Sequence, residues 1–266
     1  MKKFSFGAAI AAVLLVSALL SGCGLITRTE YETNSHPIEE AFSEIEIDVS
    51  LSGVRILAAD DGKCLVVCEE CNKVKHSVKV ENGKLTISDK WLEHSNVDPN
   101  KISVTVYLPE GEYGALSIEN ASGAINVADG FVFSAASLQN ASGATTFCSD
   151  VKGNLLVDTA SGAITLSGVH CQNADLDSAS GAVELQGLIA SGLVQIETAS
   201  GGVRLQACDA GAFDIETASG SVTGTLLTGK LFDVDSMSGK VNVPSSSVGG
   251  ICTIRTASGS VDISVE

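Results

Sequence analysis

The sequence predicts an all-β protein, a single-stranded β-solenoid (β-helix) of about eight coils that follows an N-terminal β cap. The composition favours strands, since the chain has 27 glycines, 5% aromatic residues and many Val, Ile, Thr and Ser, and lacks an amphipathic helical window. A six-residue motif recurs eight times, from Asn120–Ile125 to Thr256–Val261. Its serines are spaced by 19 or 20 residues, a period typical of one solenoid coil. These serines are Ser122, Ser142, Ser161, Ser180, Ser200, Ser219, Ser238 and Ser258.

A corner is expected at each Ala-Ser-Gly triplet. Apolar residues alternate on both sides of the serine, but they occupy even offsets before it, as Leu116 and Ile118 do, and odd offsets after it, as Ile125 and Val127 do. Because a continuous strand keeps one parity, the chain must turn, and the glycine is expected to supply the backbone freedom for the turn. Eight copies without a histidine at a matching place favour this architectural role over a nucleophilic serine.

A polar ladder is expected beside the corners. The residue two positions before each serine is Asn, Thr or Ser, and the alternation places it inside the coil. Since buried polar groups need partners, these side chains are expected to hydrogen-bond from coil to coil. They are Asn120, Asn140, Thr159, Ser178, Thr198, Thr217, Ser236 and Thr256.

The N-terminus has the features of an export signal. Lys2 and Lys3 precede an apolar run, which ends in Leu-Ser-Gly-Cys at 20–23. This ending resembles the bacterial lipoprotein lipobox, which implies removal of a signal peptide at 1–22, lipidation of Cys23 and a tether over 23–40. The protein is therefore expected outside the cytoplasm, lipid-anchored to the plasma membrane or an outer membrane, and no later segment is apolar enough to span a bilayer.

The charge is strongly acidic. The formal net charge is −16, and removal of two lysines with residues 1–22 makes it −18, with 14 basic against 32 acidic residues. Such a chain repels nucleic acid and attracts cations or basic partners, so a nucleic-acid partner is not expected.

Residues 41–112 are expected to form the cap, and residues 113–266 the solenoid. The cap segment keeps the alternation of strands but lacks the repeat, and its Asn-Gly at 82–83 predicts a hairpin. Its Cys64, Cys68 and Cys71 leave three readings open: a metal or iron–sulfur cluster, a local disulfide, and free thiols. Trp91 is expected to pack on the cap rather than to hold a ligand.

The repeats resemble a known family. Their pattern, with the preceding segment Ile102–Ile118, is similar to a bacterial family of unknown function described as "putative adhesin", over roughly residues 42–266. The resemblance implies the repeat fold, and it brings no catalytic or binding residues.

An acidic stripe is the candidate site. Six acidic residues stand three positions before the serines, on the outward side, one coil apart. The stripe is either a solvated face that keeps the rod soluble or a binding surface for a cation, such as Ca²⁺, or for a basic partner. Its residues are Glu119, Asp158, Asp177, Glu197, Glu216 and Asp235.

The leading functional hypothesis is a non-enzymatic rod of the cell envelope that binds or scaffolds an envelope protein or glycan. A carbohydrate-active β-helix enzyme is the rival, supported by Arg204 near Glu184 and by the single repeat histidine His170. An accessory or sensor subunit of an envelope-stress system is a third hypothesis. The last coil is expected to leave an edge, guarded by Arg255, Asp262 and Glu266 or used for end-to-end self-association.

Overall fold

The computed structural model describes residues 28–93, 96–246 and 248–266. Apart from one 3₁₀ turn (Pro99–Lys101), the regular secondary structure of these residues is β-strand, which confirms the all-β prediction. No helix within these ranges is long and apolar enough to cross a membrane. The expected signal peptide 1–22 and Cys23 lie outside the described residues.

The strands are short, and most precede or follow a corner. They are β1 (Tyr31–Ile38), β2 (Glu44–Val49), β3 (Gly53–Ala58), β4 (Cys64–Cys71), β5 (Val74–Glu81), β6 (Lys84–Trp91), β7 (Ser103–Leu108), β8 (Gly111–Asn120), β9 (Ile125–Val127), β10 (Phe131–Asn140), β11 (Thr145–Phe147), β12 (Asp150–Val151), β13 (Asn154–Thr159), β14 (Ile164–Ser167), β15 (His170–Cys171), β16 (Asn173–Ser178), β17 (Val183–Gln186), β18 (Ile189–Thr198), β19 (Val203–Thr217), β20 (Val222–Leu226), β21 (Leu231–Ser236), β22 (Val241–Asn242), β23 (Ile251–Thr256) and β24 (Val261–Val265).

Most strands stack in two columns that meet at the corners. A third, shorter set of parallel pairs joins β12 to the start of β10, β15 to the start of β18, and the start of β18 to the middle of β19. The first column has the spatial order β5, β6, β2, β8, β10, β13, β16, β18, β19, β23, β21. The second has the order β1, β4, β7, β3, β9, β11, β14, β17, β19, β20, β24, β22. Pairing is parallel except for β1, β4 and β5, which pair antiparallel with their neighbours. We call two strands that meet at one corner a level.

The core lies between the columns and is continuous along the stack. The apolar positions predicted from the repeat are buried, for example Ile118, Val157 and Ile215, each 0% exposed. Aromatic side chains fill one part of this core, where the rings of Phe133 and Phe147 lie 6.2 Å apart. Burial of alternate residues on every level thus holds the stack together, as the period-2 pattern predicts.

The corner glycines have a different role from the predicted one. A Cβ on Gly181 would lie 1.8 Å from the carbonyl oxygen of Gly162 on the neighbouring level. Gly162 meets Gly143 in the same way at 1.9 Å, and Gly201 meets Gly181 at 1.8 Å. The corner glycines are absent from the residues with positive φ, such as Gly168. Glycine is therefore required by the close approach of stacked backbones and not by a left-handed turn.

The polar residues beside the corners are inward-facing, as predicted, but their bonds differ from a continuous ladder. Thr198 Oγ1 accepts a hydrogen bond from the N–H of Gly201 at 2.9 Å, within its own corner, and Thr217 bonds to Gly220 likewise at 2.8 Å. Bonds between levels are made by the longer amide of Asn140, whose Nδ2 donates to Gly123 O at 2.9 Å. Ser178 and Ser236 also reach a neighbouring level, since their Oγ atoms donate to Gly162 O at 3.4 Å and to Gly259 O at 3.2 Å. The hydrogen bonds of the four threonine hydroxyls close single corners.

The C-terminal levels are exchanged relative to the chain order. β23 lies between β19 and β21, because Ile215 pairs with Ile254 and Val234 also pairs with Ile254. The prediction that Arg255 and Asp262 guard the final edge is therefore wrong, because Asp235 of β21 pairs with Arg255 and Asn242 of β22 pairs with Asp262. Glu266 lies beyond the two residues of β24 that pair with β22. The edge consists of β21 and β22, which we call the terminal edge. The repeat could not reveal this order, since apolar residues of the two levels are interchangeable.

An exchange of the same kind occurs at the N-terminal end. β2 and β3 lie between β6–β7 and β8–β9, with Ile45 opposite Leu116 and Val54 opposite Ile125. The expected boundary at 112/113 falls inside β8. The predicted tether over 23–40 is also wrong for residues 31–38, which form β1 and pair with β4. Exposed and half-buried residues alternate over residues 33–38 of this edge strand, although the composition is that of a linker.

A second, small core lies beside this end. It contains Cys71, Val74 and Ile102, and Trp91 packs against it, as predicted. Trp91 Nε1 donates to Asp89 Oδ2 at 3.2 Å, so the polar end of the indole is also satisfied.

Candidate functional site

The acidic stripe is a straight file on the outer face of the first column. Register partners place Glu119, Gln139, Asp158, Asp177, Glu197 and Glu216 on successive levels. Arg255 follows Glu216, and Asp235 follows Arg255, because of the exchanged order. Neighbouring strands are ~4.8 Å apart, so one side chain is offered at each step. The structure therefore brings together the six predicted residues, with Arg255 interrupting them near the terminal edge.

A second acidic file runs beside the stripe. It includes Asp175, two residues before Asp177, and Asp214, two residues before Glu216. Arg255 reaches across both files, with its Nη1 3.7 Å from Asp214 Oδ1 and 3.6 Å from Glu216 Oε1. The arginine thus compensates the charge of one end of the stripe.

The middle of the stripe has no such compensation. The ion pairs within the described ranges do not involve Asp158, Asp175, Asp177 or Glu197. The Oδ1 atoms of Asp175 and Asp177 are also buried without a hydrogen-bond partner. These four carboxylates lie on three successive levels of the first column and form a group of negative charge without an ion-pair partner.

The pKa values of Asp177 and Asp175 reflect this crowding. Partial burial raises the pKa of Asp177 above its ordinary value, and the charges of Asp175, Glu197 and Asp158 raise it further. Partial burial, followed by the charge of Glu197, raises the pKa of Asp175. A cation placed here would relieve both penalties, because an opposite charge favours the ionised carboxyl group.

A shallow groove follows the stripe along the corners. Its volume is about 770 Å³, and it extends from Asp158 to Arg255 and Met237. The stripe carboxylates line one side, and the alanines of the triplets, such as Ala179 and Ala199, line the other. An open groove with one repeating acidic wall suits an extended ligand better than a small enclosed one.

The family of the chain is established by its sequence. The model of the Toastrack DUF4097 family matches residues 42–194 and 189–266. The chain belongs to the Toastrack family. This result confirms the resemblance drawn from the repeats, and Toastrack domains have a β-solenoid-like fold.

Solved structures with distant sequences also match this Toastrack chain. They include a protein described as a "putative adhesin" from Bacteroides fragilis (16% identity, 89% of this chain, 97% of that chain, TM-score 0.47). A "putative lipid binding protein" from Parabacteroides distasonis has 16% identity, 87% and 96% coverage and a TM-score of 0.47. A "putative cell adhesion protein" from Clostridium sporogenes has 12% identity, 89% and 100% coverage and a TM-score of 0.28. No curated protein matches the chain.

Metal ligands do not converge in the described parts of this Toastrack chain. No three His, Cys, Asp or Glu side chains there are arranged to hold a metal ion. The seven cysteines in those parts are free thiols, in agreement with one of the three readings. Burial raises the pKa of Cys64 to about 11 and that of Cys68 to about 12, so these thiols are protonated and unreactive at neutral pH.

The residues of the rival enzyme hypothesis lie apart from the stripe. Glu184 and Arg204 are register partners on β17 and β19, in the second column. His170 is exposed, and its Nδ1 lies 3.0 Å from Asp150 Oδ1. The eight corner serines are exposed, and no histidine stands at a matching position of the repeat.

A buried polar network near the N-terminal end was missed by sequence reasoning. Ser52 Oγ lies 2.9 Å from His76 Nε2, and His76 Nδ1 lies 3.3 Å from Glu70 Oε2. The His76 side chain and Ser52 are each 0% exposed, so no substrate could reach the hydroxyl. Asn34 Nδ2 also donates to Glu70, at 2.5 Å. The separations of these residues in the sequence form no motif. The network joins β4 and β5 to the connection between β2 and β3, where Ser52 lies.

Proposed function

We propose that this Toastrack chain is a non-enzymatic, lipid-anchored rod of the cell envelope that binds a basic partner along its acidic stripe. The observation that carries the proposal is the file of uncompensated carboxylates Asp158, Asp175, Asp177 and Glu197 beside an open groove. Family membership supports a binding or scaffold role at this coarse level. An accessory subunit of an envelope-stress system would be one form of the same role, distinguished by its partner.

The lipobox-like ending at 20–23 supports the proposed location at a membrane. Lipidation of Cys23 would hold the chain to a plasma or outer membrane from outside the cytoplasm. The seven residues 24–30 would then connect Cys23 to β1. The last three already contact the fold, since Arg28 and Glu30 hydrogen-bond to Asn72 and Thr29 hydrogen-bonds to Asn96. Seven residues reach at most about 25 Å when fully extended, so the N-terminal end of the stack would stay near the membrane.

The shape that we propose is a solenoid with a cap at its N-terminal end. We interpret the eight repeats as eight consensus coils, preceded by levels that keep the register without the motif. β1, β4 and β5, which pair antiparallel at the N-terminal end, would be the cap. Antiparallel strands suit this task, because they end the run of parallel coils and protect its edge.

The spacing of the stripe favours a basic polymer over Ca²⁺. Calcium takes six to eight oxygen ligands that converge on one point, whereas the stripe offers one carboxylate for each ~4.8 Å step. An extended chain with repeated lysine or arginine side chains can match such steps one after another. The partner is therefore proposed to be a basic segment of an envelope protein; a glycan would need its own positive charges.

Isothermal titration calorimetry of the full chain, purified in detergent, with a ten-residue lysine peptide tests the proposal. Asp177→Asn with Glu197→Gln should weaken binding about tenfold, because two partly screened attractions of somewhat under 1 kcal/mol each are lost. The matched control is Glu110→Gln with Asp129→Asn, which removes two exposed carboxylates away from the stripe. It should change the affinity less than about twofold.

Two outcomes would contradict the proposal. Equal weakening by the control and stripe variants, or no binding of the peptide, would mean that the stripe only keeps the rod solvated. Micromolar Ca²⁺ binding that is lost in the stripe variant would instead identify a metal site.

A further inference from the structure

We propose that the terminal edge is a docking site for an extended strand of a partner protein in which apolar residues alternate with lysine or arginine. The strand would add to β21 as a further member of the first column. This inference goes beyond the proposed function, because it concerns the end of the rod and main-chain pairing instead of the stripe along its side.

The outer side of β21 is unpaired within the described residues. β21 pairs with β23, and β22 pairs with β24, each on one side only. The N–H groups of Leu231 and Met237 point inward, bonding to Gly250 O at 2.9 Å and Thr256 O at 3.3 Å. Main-chain groups of successive residues alternate in direction along a parallel strand. The N–H and C=O groups of Phe232 and Val234 therefore point away from the stack and are available to a new strand.

The core is unfinished at this edge. On the level beneath, Cys252 and Ile254 occupy the positions of Phe232 and Val234 and are 0% exposed. Phe232 and Val234 are themselves only partly buried. Nearby, Leu231 is 41% and Met237 is 85% exposed. A further strand with apolar side chains on its inner face would cover this surface.

The two ends of the stack are protected differently. At the N-terminal end, β1 forms the outermost strand of the second column and contains Pro37, a residue that blocks further pairing. β21 reads Leu-Phe-Asp-Val-Asp-Ser and contains no proline, lysine or bulge. Its protection consists of Asp233 and Asp235, which are exposed on the outer face. Such an edge repels acidic strands and accepts basic ones.

The same charges disfavour a second copy of the chain at this edge. Antiparallel pairing of two β21 strands with their apolar faces on one side places Asp233 opposite Asp233 or opposite Asp235 of the other copy. Parallel pairing in register places each aspartate opposite itself. Like charges directly opposite destabilise paired strands. A partner strand with lysine or arginine facing Asp233 and valine-like residues facing Phe232 and Val234 avoids this repulsion. It adds an attraction between opposite charges and an apolar contact.

A pair of methylated peptides tests the pairing directly. The probe is an eight-residue peptide of alternating lysine and valine, titrated by fluorescence anisotropy into the full chain carrying Asp177→Asn and Glu197→Gln. These stripe changes should weaken the background site of the proposed function about tenfold. Methylation of backbone nitrogens leaves the peptide charges unchanged, so the methylated pair distinguishes main-chain pairing from attraction to the stripe. In an extended strand all lysine N–H groups face one side and all valine N–H groups face the other. Methylation of the backbone nitrogens of the residues whose N–H groups face β21, either all lysines or all valines, should weaken binding at least about tenfold. Methylation of the other residues should not weaken it.

Variants of the chain locate the site. Val234→Pro removes one outward N–H without removing a bond to β23, and Asp233→Lys reverses one charge of the edge while leaving the stripe residue Asp235 unchanged. Each should weaken binding at least about tenfold. Equal effects of the two methylated peptides would overturn the proposal, and this result needs no variant of β21 to fold. Dimerisation of the chain that Val234→Pro abolishes would also overturn it, since a second copy would then occupy the edge.

Discussion

At each corner, the glycine of one level lies against the backbone carbonyl group of the next. The fit leaves no room for a side chain, since a Cβ on Gly181 would come within 1.8 Å of Gly162 O. Ser180, one residue earlier, is exposed. At the scale of the residue, the repeated triplet is therefore a packing motif. Its serine, which resembles a nucleophile in the sequence, is less constrained than its glycine.

Substitution of these two neighbours should separate the roles. Gly181→Ala should lower the free energy of unfolding by about 3 kcal/mol or more, because stacked backbones must move apart to admit the methyl group. Ser180→Ala should change it by less than about 0.5 kcal/mol. Urea denaturation followed by circular dichroism measures both. A larger loss for Ser180→Ala than for Gly181→Ala would contradict the packing account.

At the scale of the element, the buried Ser52–His76–Glu70 network joins β4 and β5 to the connection between β2 and β3. Burial lowers the pKa of His76 from its ordinary value of 6.5, although the neighbouring Glu70 and Asp89 oppose the shift. Burial alone would raise the pKa of Glu70, but hydrogen bonds from the His76 N–H and Asn34, with the charge of Lys75, outweigh it and lower the pKa. The network is thus built around a neutral imidazole and an ionised carboxylate.

Protonation of His76 should therefore weaken this part of the fold. Because its pKa is lower in the folded chain, the stability that neutral His76 contributes is complete above pH 6.5 and is lost as the pH falls below that value. The free energy of unfolding should fall between pH 7.5 and pH 5.5, and His76→Gln should flatten this fall. His170→Gln, at an exposed histidine, is the control and should keep it. An identical pH profile for the wild-type chain and His76→Gln would contradict the assignment.

The sequence predicted the repeated elements well and their ends poorly. Alternation around Ile118 and Ile125 identified the buried faces and the corner, because each repeat reports the same environment eight times. The stripe followed from the same parity. The role of Gly181 was misjudged, since a glycine needed for close approach and one needed for a turn look alike in a sequence.

The repeat could not predict the order of the levels along the stack or the contacts between distant segments. β23 and β21 carry equivalent apolar residues, so nothing in their sequences decides which lies inside. Ser52, Glu70 and His76 lie on separate elements, and no spacing marks their meeting. The sequence of β1 is typical of a linker, and only its pairing with β4 in the structure shows that it is a strand.

At the scale of the whole molecule, the chain is an acidic rod with two unlike ends. Eleven strands in the first column give a length of roughly 50 Å. With the proposed lipid at Cys23, the end with β1 and β5 would face the membrane and the terminal edge would face away from it. The acidic stripe would then run along the rod between a closed end and an open one.

Distances between spin labels at the corner serines test this arrangement most directly. Non-cysteine label sites at Ser122 and Ser258 should lie about 29 Å apart, six levels at ~4.8 Å, whereas Ser122 and Ser238 should lie about 34 Å apart, seven levels. The serine later in the sequence should thus be the nearer one. A longer distance to Ser258 than to Ser238 would contradict the exchanged order, and distances unrelated to the number of levels would contradict the stack itself.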